Sequence, residues 1–80
     1  MTEEKIRRGV YVHSKTGRFY QVVGESRDSE TFEWRVKYLA LYDDPARDIK
    51  KGDEFSRPLK NFLEIVIVGN EGVPRYRFVG

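Results

Sequence analysis

The sequence predicts an all-β fold: a small SH3-like bent barrel of five or six short antiparallel strands, with at most one helical turn. Short runs rich in β-branched and aromatic residues recur along the chain, and turn-forming residues separate them. No segment shows the apolar period of a long helix. In a chain of 80 residues, such strands close most readily into a barrel or a two-sheet roll, because closure removes exposed sheet edges.

The first two strands are predicted at residues 10–13 and 19–24, which are rich in valine and aromatic residues. Gly17 lies in the polar stretch between them and tolerates a positive φ, so the two strands are expected to form a hairpin. Residues 25–31 follow as a polar connection.

The clearest strand signal covers residues 32–42, in which apolar side chains occupy every second position. Alternation of this kind places the set on one face of a strand, and we expect Phe32, Trp34 and Tyr38 to belong to the core. The other face is charged at first and then apolar. Such a switch is typical of a strand that bends across two layers of a small barrel.

The remainder of the chain is predicted as five shorter elements, which turn residues and prolines delimit. In chain order they are a loop at 43–53, an edge strand at 54–57 that Pro58 ends, one helical turn at 59–63, a strand at 65–68 and a last strand at 73–79.

Length and composition indicate one domain and exclude several classes of protein. Residues 1–8 are polar and predicted to be a flexible N-terminal segment, followed by a single β-barrel domain at 9–80. The net charge is only +2, so binding of nucleic acid would require a concentrated basic face. The absence of cysteine excludes disulfides and thiolate chemistry. There is no apolar signal segment and no run long enough to cross a membrane, so we expect a cytoplasmic protein without a membrane partner.

No catalytic, metal-binding or cofactor-binding constellation is visible in the sequence, and we expect a protein that is not an enzyme, without metal or cofactor. His13 is the only histidine, and a serine elsewhere does not make it a catalytic triad, because triads are defined by geometry. We expect His13 to hydrogen-bond a backbone group at a strand end. The acidic residues between positions 43 and 53 do not follow the EF-hand pattern and are interpreted as solvated loop carboxylates.

Several separated motifs occur in an order that resembles one small bacterial family. They are Gly9-Val10-Tyr11-Val12-His13, Lys15, Gly17, Tyr20, Ser29-Glu30-Thr31, Val36-Lys37-Tyr38-Leu39-Ala40-Leu41-Tyr42, Arg57-Pro58-Leu59, Phe62-Leu63-Glu64 and Pro74-Arg75-Tyr76. The chain resembles, over about residues 6 to 79, the family named domain of unknown function 1653.

The chain departs from that family pattern at three positions. Thr16 is an additional residue, Asp28 replaces an expected histidine, and Phe55 replaces a usual tryptophan. The resemblance implies a small bacterial domain, stand-alone or appended to another, and it implies no activity.

The Ser-Glu-Thr triplet, Arg57 and His13 are candidates for ligand binding, and each has a structural alternative. The candidate residues are His13, Ser29, Glu30, Thr31 and Arg57. The Ser-Glu-Thr triplet is expected to form a turn with its hydroxyls capping backbone N–H groups, or else to offer a ligand surface. The arginine is expected to pair with Glu30 or Glu64, or else to grip a carboxylate or phosphate.

A basic and aromatic surface is a further candidate, because aromatic platforms beside basic residues hold single-stranded nucleic acid in small barrels. Its candidate residues are Arg35, Lys37, Arg75, Arg77, Tyr11 and Tyr20. The four basic residues form one stripe only if their two strands are neighbours.

These observations favour a binding module, and three classes of partner remain open. Recognition of a protein or peptide is favoured by the mixed charge and the surplus of tyrosine. Binding of nucleic acid is the first alternative and predicts a steep dependence on salt. A small-molecule sensor is the second alternative.

Overall fold

A computed structural model describes residues 6–80 of the chain, and it shows an all-β architecture with one short helix. This confirms the predicted fold class. The elements in chain order are β1 (Gly9–His13), β2 (Phe19–Arg27), β3 (Trp34–Ala40), a 3₁₀ turn (Pro45–Arg47), β4 (Glu54–Pro58), α1 (Leu59–Phe62), β5 (Ile65–Val68), β6 (Glu71–Pro74) and β7 (Tyr76–Phe78).

The strands form two antiparallel sheets. The larger sheet has five strands in the order β4-β3-β2-β1-β7, and β5 and β6 form a separate hairpin. There are more strands than expected because the predicted last strand is divided into β6 and β7. β6 pairs with β5 and ends at Pro74, whereas β7 begins at Tyr76 and pairs with β1. β4 and β7 are the two edges of the larger sheet, so its hydrogen-bonded ladder is open, and the closed barrel stays a prediction.

The larger sheet is curled over its buried face. In a flat sheet β3 and β7 would stand about 14 Å apart, across three strand spacings. The rings of Tyr38 on β3 and Tyr76 on β7 nevertheless lie 5.8 Å apart, centroid to centroid. Phe62 of α1, only 1 % exposed, packs against both rings: its centroid lies 5.8 Å from that of Tyr38, and its ring is stacked on Tyr76 at 4.2 Å.

The core is unusually rich in tyrosine. Four tyrosines are buried together with valines and with the apolar face of α1, and the ring of Tyr20 meets those of Tyr38 and Tyr76 edge to face, a favourable geometry for aromatic pairs. The buried cluster consists of Tyr11, Tyr20, Val22, Val36, Tyr38, Ala40, Leu59, Phe62 and Tyr76.

The hairpin of β2 and β3 differs from the prediction at both of its strands. β2 continues through Arg27 into the segment expected to be a polar connection, and a bulge between Val22 and Gly24 adjusts its register with β3. The prediction of a core position for Phe32 is wrong. Its φ of 62° takes it out of the strand, and its side chain is 65 % exposed. Tyr38 is buried as expected, and Trp34 is half-buried.

The loop at 43–53 is held by the chain itself. Asp44 pairs with Ile49 in an isolated bridge around the 3₁₀ turn, and its buried carboxylate binds Arg18 at 2.6 Å. The interpretation of Asp44 as a solvated carboxylate is therefore wrong. Its ion pair with Arg18 connects this loop to the residue that precedes β2.

The predicted N-terminal segment at 1–8 falls partly outside the described residues. Within them, Ile6 packs against the core, and the carbonyl of Arg7 accepts a hydrogen bond of 2.8 Å from the hydroxyl of Tyr11. No helix in residues 6–80 has the length and apolarity needed to span a membrane.

Candidate functional site

A cleft of about 220 Å³ opens between the curled sheet and the loop at 43–53. Four tyrosines, three arginines and one histidine contribute to its walls, and no carboxylate does. The lining residues are His13, Thr16, Arg18, Tyr20, Tyr38, Tyr42, Arg47, Ile49, Phe55, Arg57 and Tyr76. Four segments distant in sequence supply them, so the curl of the sheet creates the cleft.

The tyrosines form the floor of the cleft. The hydroxyls of Tyr20 and Tyr42 lie 2.8 Å apart in a hydrogen bond, and the ring of Tyr20 packs edge to face against Tyr38, Tyr42 and Tyr76 at 5.2–5.6 Å. Burial raises the pKa of Tyr20 and of Tyr76 well above the ordinary value, and hydrogen bonds to neighbouring tyrosines raise it further. The phenols therefore stay neutral, and their hydroxyls serve as donors or acceptors.

Arg57 is the charged residue most firmly placed in the cleft. It lies on β4 opposite Val36, its Nε donates to the hydroxyl of Tyr38 at 3.2 Å, and its Nη1 donates to the side-chain oxygen of Asn61. Its guanidinium lies over the ring of Tyr76, 5.5 Å from the centroid. Burial alone lowers the pKa of Arg57, but the hydrogen bond to Tyr38 and the nearby tyrosines outweigh it, and the group stays charged.

The predicted ion pair of Arg57 with Glu30 or Glu64 is wrong. Glu64 binds Arg75 at 2.6 Å instead, and Glu30 lies exposed in the turn between β2 and β3. Within residues 6–80 no carboxylate lies within 4.0 Å of the guanidinium of Arg57. Its partners there are the neutral oxygens of Tyr38 and Asn61.

Two further arginines reach the cleft and share one carboxylate. Arg18 binds Asp44 at 2.6 Å and covers the ring of Tyr42 at 4.7 Å, and Nε of Arg47 lies 3.8 Å from the same Asp44 oxygen. The hydrogen bond from Arg18 lowers the pKa of Asp44 below its ordinary value. This corner of the cleft therefore retains one positive charge in excess.

His13 contributes a neutral donor. Its Nδ1 accepts a hydrogen bond of 3.1 Å from the backbone N–H of Lys15, as expected for a histidine at a strand end. An accepting Nδ1 carries no proton, so in the neutral ring the proton is on Nε2. Burial lowers the pKa of His13, and the charges of Arg57, Arg75 and Lys15 lower it further.

The Ser-Glu-Thr triplet lies at a different place from the cleft. Asp28 folds it into a tight turn, since its Oδ1 accepts the backbone N–H groups of Glu30 and Thr31 at 2.8 and 3.0 Å. The hydroxyl of Thr31 accepts the N–H of Glu33 at 3.3 Å, which confirms the structural interpretation of this residue. The turn follows Arg27, at the far end of β2 from the cleft residue Tyr20, and ligand binding by Ser29, Glu30 or Thr31 stays a prediction.

The expected basic stripe is not continuous. Arg35 and Lys37 lie on β3, Arg77 lies on β7, and β2 and β1 stand between these strands. Lys37 lies 3.8 Å from Glu54, and Arg75 is engaged with Glu64. The two aromatic members, Tyr11 and Tyr20, are buried. Of the whole set, Tyr20 alone is among the residues that line the cleft.

The sequence predicts three of the residues that line the cleft as site residues: His13 and Arg57 as candidate ligand residues, and Tyr20 as part of the basic and aromatic surface. It does not predict Tyr42, Arg47 or Tyr76 as site residues, because they reach the cleft only through the curl of the sheet and the fold of the loop at 43–53. The one available signal was compositional: four of the five tyrosines in the chain line this cleft.

Comparisons with known proteins agree with this architecture. A crystal structure of a DUF1653 protein from Bordetella bronchiseptica superposes with a TM-score of 0.79 and 35 % sequence identity, covering 94 % of this chain and 88 % of that one. A search of curated proteins found no match. The family model described as "Protein of unknown function (DUF1653)" matches residues 9–78, nearly the whole chain. The chain therefore belongs to the DUF1653 family.

Proposed function

We propose that this protein is a bacterial, cytoplasmic binding module that holds an acidic group of a protein or peptide partner in the tyrosine-floored cleft. The observation that carries the proposal is Arg57, a half-buried guanidinium with no carboxylate partner in residues 6–80. An acidic group in the cleft would provide the missing partner.

The energetics of a half-buried charge support this proposal. Removal of a charged group from water is costly unless a partner compensates for it. The two neutral oxygens bound to Arg57 occupy only part of its five N–H donors. A hydrogen bond to a charged group contributes about 1.5–3 kcal/mol, and a guanidinium fork recognises carboxylates and phosphates through paired bonds.

The charges around Arg57 also favour an anion. Every charged side chain among the lining residues is basic, and the carboxylate of Asp44 beside them is already bound to Arg18 and Arg47. Tyr42 and Phe55, the two partly exposed aromatic residues of the cleft, add apolar contact area with little loss of side-chain freedom, as is common at recognition surfaces.

The cleft volume supports a small-molecule sensor as the second candidate. A space of about 220 Å³ accommodates one large side chain or a small metabolite, and either one would present the same acidic group. The separation of Arg35 and Lys37 from Arg77 removes the main support for nucleic-acid binding.

The test is a ¹H–¹⁵N titration of the labelled protein with two pools of capped random hexapeptides. Each peptide of the first pool carries one aspartate, glutamate or phosphoserine, and the second pool is neutral. We expect the acidic pool alone to shift the signals of His13, Tyr38, Arg57 and Tyr76. No shift with the acidic pool, or equal shifts with both pools, would contradict the proposal.

Two variants identify the site. Arg57→Gln removes the charge in the cleft and is expected to abolish the shifts. Arg35→Gln removes one charge from β3, where Arg35 donates to Ser56 outside the cleft, and is expected to preserve them. Equal loss in both variants would indicate a general effect of charge instead of a site.

A further inference from the structure

We infer that the acidic group the cleft is built to hold is a phosphate monoester. The inference rests on the proposed function and narrows it to one chemical class. The charge balance, the arrangement of donors and the size of the cleft each support it.

The charge balance favours a doubly charged group. Arg57 has no carboxylate partner in the described chain, and Arg18 and Arg47 share the single charge of Asp44. With His13 neutral, the cleft therefore has two positive charges in excess. A carboxylate would neutralise one of them, whereas a phosphate monoester carries about −1.5 to −2 near neutral pH.

The donors come from two separate parts of the fold. His13 and Arg18 face each other at the turn that joins β1 and β2, where the N–H of His13 donates to the carbonyl of Arg18 at 2.9 Å, and Arg57 lies on β4, on the other side of β3. A planar carboxylate is best matched by one guanidinium fork in its own plane. A phosphate offers three acceptor oxygens in a tetrahedral arrangement, which suits donors supplied by two separate parts of the fold.

Unused donors remain for these oxygens. Nε and Nη1 of Arg57 each donate one bond, which leaves three of its five N–H groups. Nη1 of Arg18 donates to Asp44, which leaves other N–H groups of this guanidinium. Thr16 lines the rim and adds a hydroxyl.

The size of the cleft limits what carries the phosphate. About 220 Å³ holds the phosphate and one small substituent, such as an amino-acid side chain or a sugar, and rings placed there would meet Tyr38 and Tyr76. A phosphorylated side chain and a phosphorylated metabolite share this chemistry, so the probes below include both.

The experiment compares two aromatic anions on the intact protein at constant ionic strength and pH 7.5. Phenyl phosphate and benzoate have the same ring and differ in the anionic group. We expect phenyl phosphate to bind at least tenfold more tightly than benzoate, with shifts at His13, Arg18 and Arg57. The shifts should be lost in Arg57→Gln and kept in Arg35→Gln, and a thermal melt of each variant establishes that it is folded.

The outcomes separate this inference from the proposed function. Equal or tighter binding of benzoate would overturn the phosphate inference and leave an acid-binding cleft. Saturable binding of neither anion would overturn both. Shifts that persist in Arg57→Gln would place phosphate elsewhere and overturn the inference.

Two larger probes distinguish the source of the phosphate. A phosphoserine hexapeptide and glucose 6-phosphate both carry a monoester, and cleft binding of either supports the inference. Tighter binding of the peptide supports a protein partner. Binding of the sugar phosphate alone would support the inference and contradict the proposed protein or peptide partner.

Discussion

At the scale of single residues, the cleft depends on side chains that fix one another. Arg57 is oriented by the hydroxyl of Tyr38, which belongs to the core, and by Asn61 on α1. A guanidinium whose orientation is set before binding loses less side-chain entropy when a ligand arrives. The tyrosine hydroxyls therefore serve stability and preorganisation together.

Tyr38→Phe separates these two roles. Loss of the hydroxyl leaves Nε of Arg57 without its acceptor, and we expect a cost of about 1 kcal/mol in the free energy of unfolding. We also expect weaker binding of phenyl phosphate, because the guanidinium is less well oriented. Urea denaturation and the titration described above measure the two effects.

Tyr11→Phe is the matched control for this variant. It removes a hydroxyl bonded to the carbonyl of Arg7, away from the cleft, and should lower stability without any change in affinity. Unchanged affinity in Tyr38→Phe would show that this hydroxyl has no part in orienting Arg57.

His13 makes stability depend on pH. Burial, followed by the charges of Arg57, Arg75 and Lys15, holds the pKa of His13 below its ordinary value of 6.5. The unfolded chain therefore binds a proton at higher pH than the folded chain does, so stability is complete above about pH 6.5 and falls as pH decreases below it. Denaturant unfolding in phosphate-free buffer between pH 7.5 and pH 5 measures this loss.

His13→Gln should reduce the loss of stability over that interval. The pKa of Asp28 and of Asp44 is lowered from 3.8, so their contribution is lost only at still lower pH and does not overlap. An imidazole pKa of 6.5 or above in the folded protein, read from the His13 ring signals, would contradict the assigned surroundings.

At the scale of elements, the turn between β2 and β3 combines a strong stabilising motif with a strained residue. Asp28 binds two backbone N–H groups, and its carbonyl accepts the N–H of Phe32 at 2.8 Å. In this turn Phe32 adopts a left-handed backbone conformation, which lowers the stability of the folded chain by about 1–2 kcal/mol for an L-residue. Its exposed side chain recovers little of that cost.

Phe32→Asn is therefore expected to stabilise the protein. Asparagine tolerates the left-handed region better than phenylalanine, and we expect a gain of about 0.5–1 kcal/mol in the free energy of unfolding. Asp28→Ala, which removes the side-chain acceptor of the same turn, should lose about 0.5–2 kcal/mol. Thermal and urea unfolding measure both, and a destabilised Phe32→Asn would show that the ring makes a packing contribution.

The single turn of α1 contributes far more than its length suggests. Phe62 is the largest fully buried side chain, and its ring contacts Tyr11, Tyr38 and Tyr76. We expect Phe62→Ala to cost about 3–5 kcal/mol, against a total of about 4–12 kcal/mol for a chain of this size. Lys60→Ala, on the exposed side of the same helix, should change stability by less than about 0.5 kcal/mol in urea unfolding.

At the scale of the whole molecule, the sequence predicted local structure better than its assembly. The edge strand before Pro58, the helical turn after it and the buried position of Tyr38 follow from side-chain pattern and proline chemistry, and the structure confirms them. The pattern alone placed Phe32 in the core, because its apolar side chain continues the alternation. The turn built by Asp28 overrides that alternation.

The cleft was only partly predictable, for a physical reason. His13 and Arg57 were identified by their chemistry, whereas the order β4-β3-β2-β1-β7 and the curl of the sheet decide which residues join them. The same order separates Arg35 and Lys37 from Arg77, which no local pattern indicates.

The most direct test of the acid-binding cleft is the side-chain Nε–H signal of Arg57 in the ¹⁵N-labelled protein, followed during titration with phenyl phosphate and, separately, with benzoate. A saturable shift of this signal with at least one of the two anions, together with shifts at Tyr38 and Tyr76, is the predicted result. An Arg57 signal that stays in place with both anions would contradict the assignment of this cleft as the binding site.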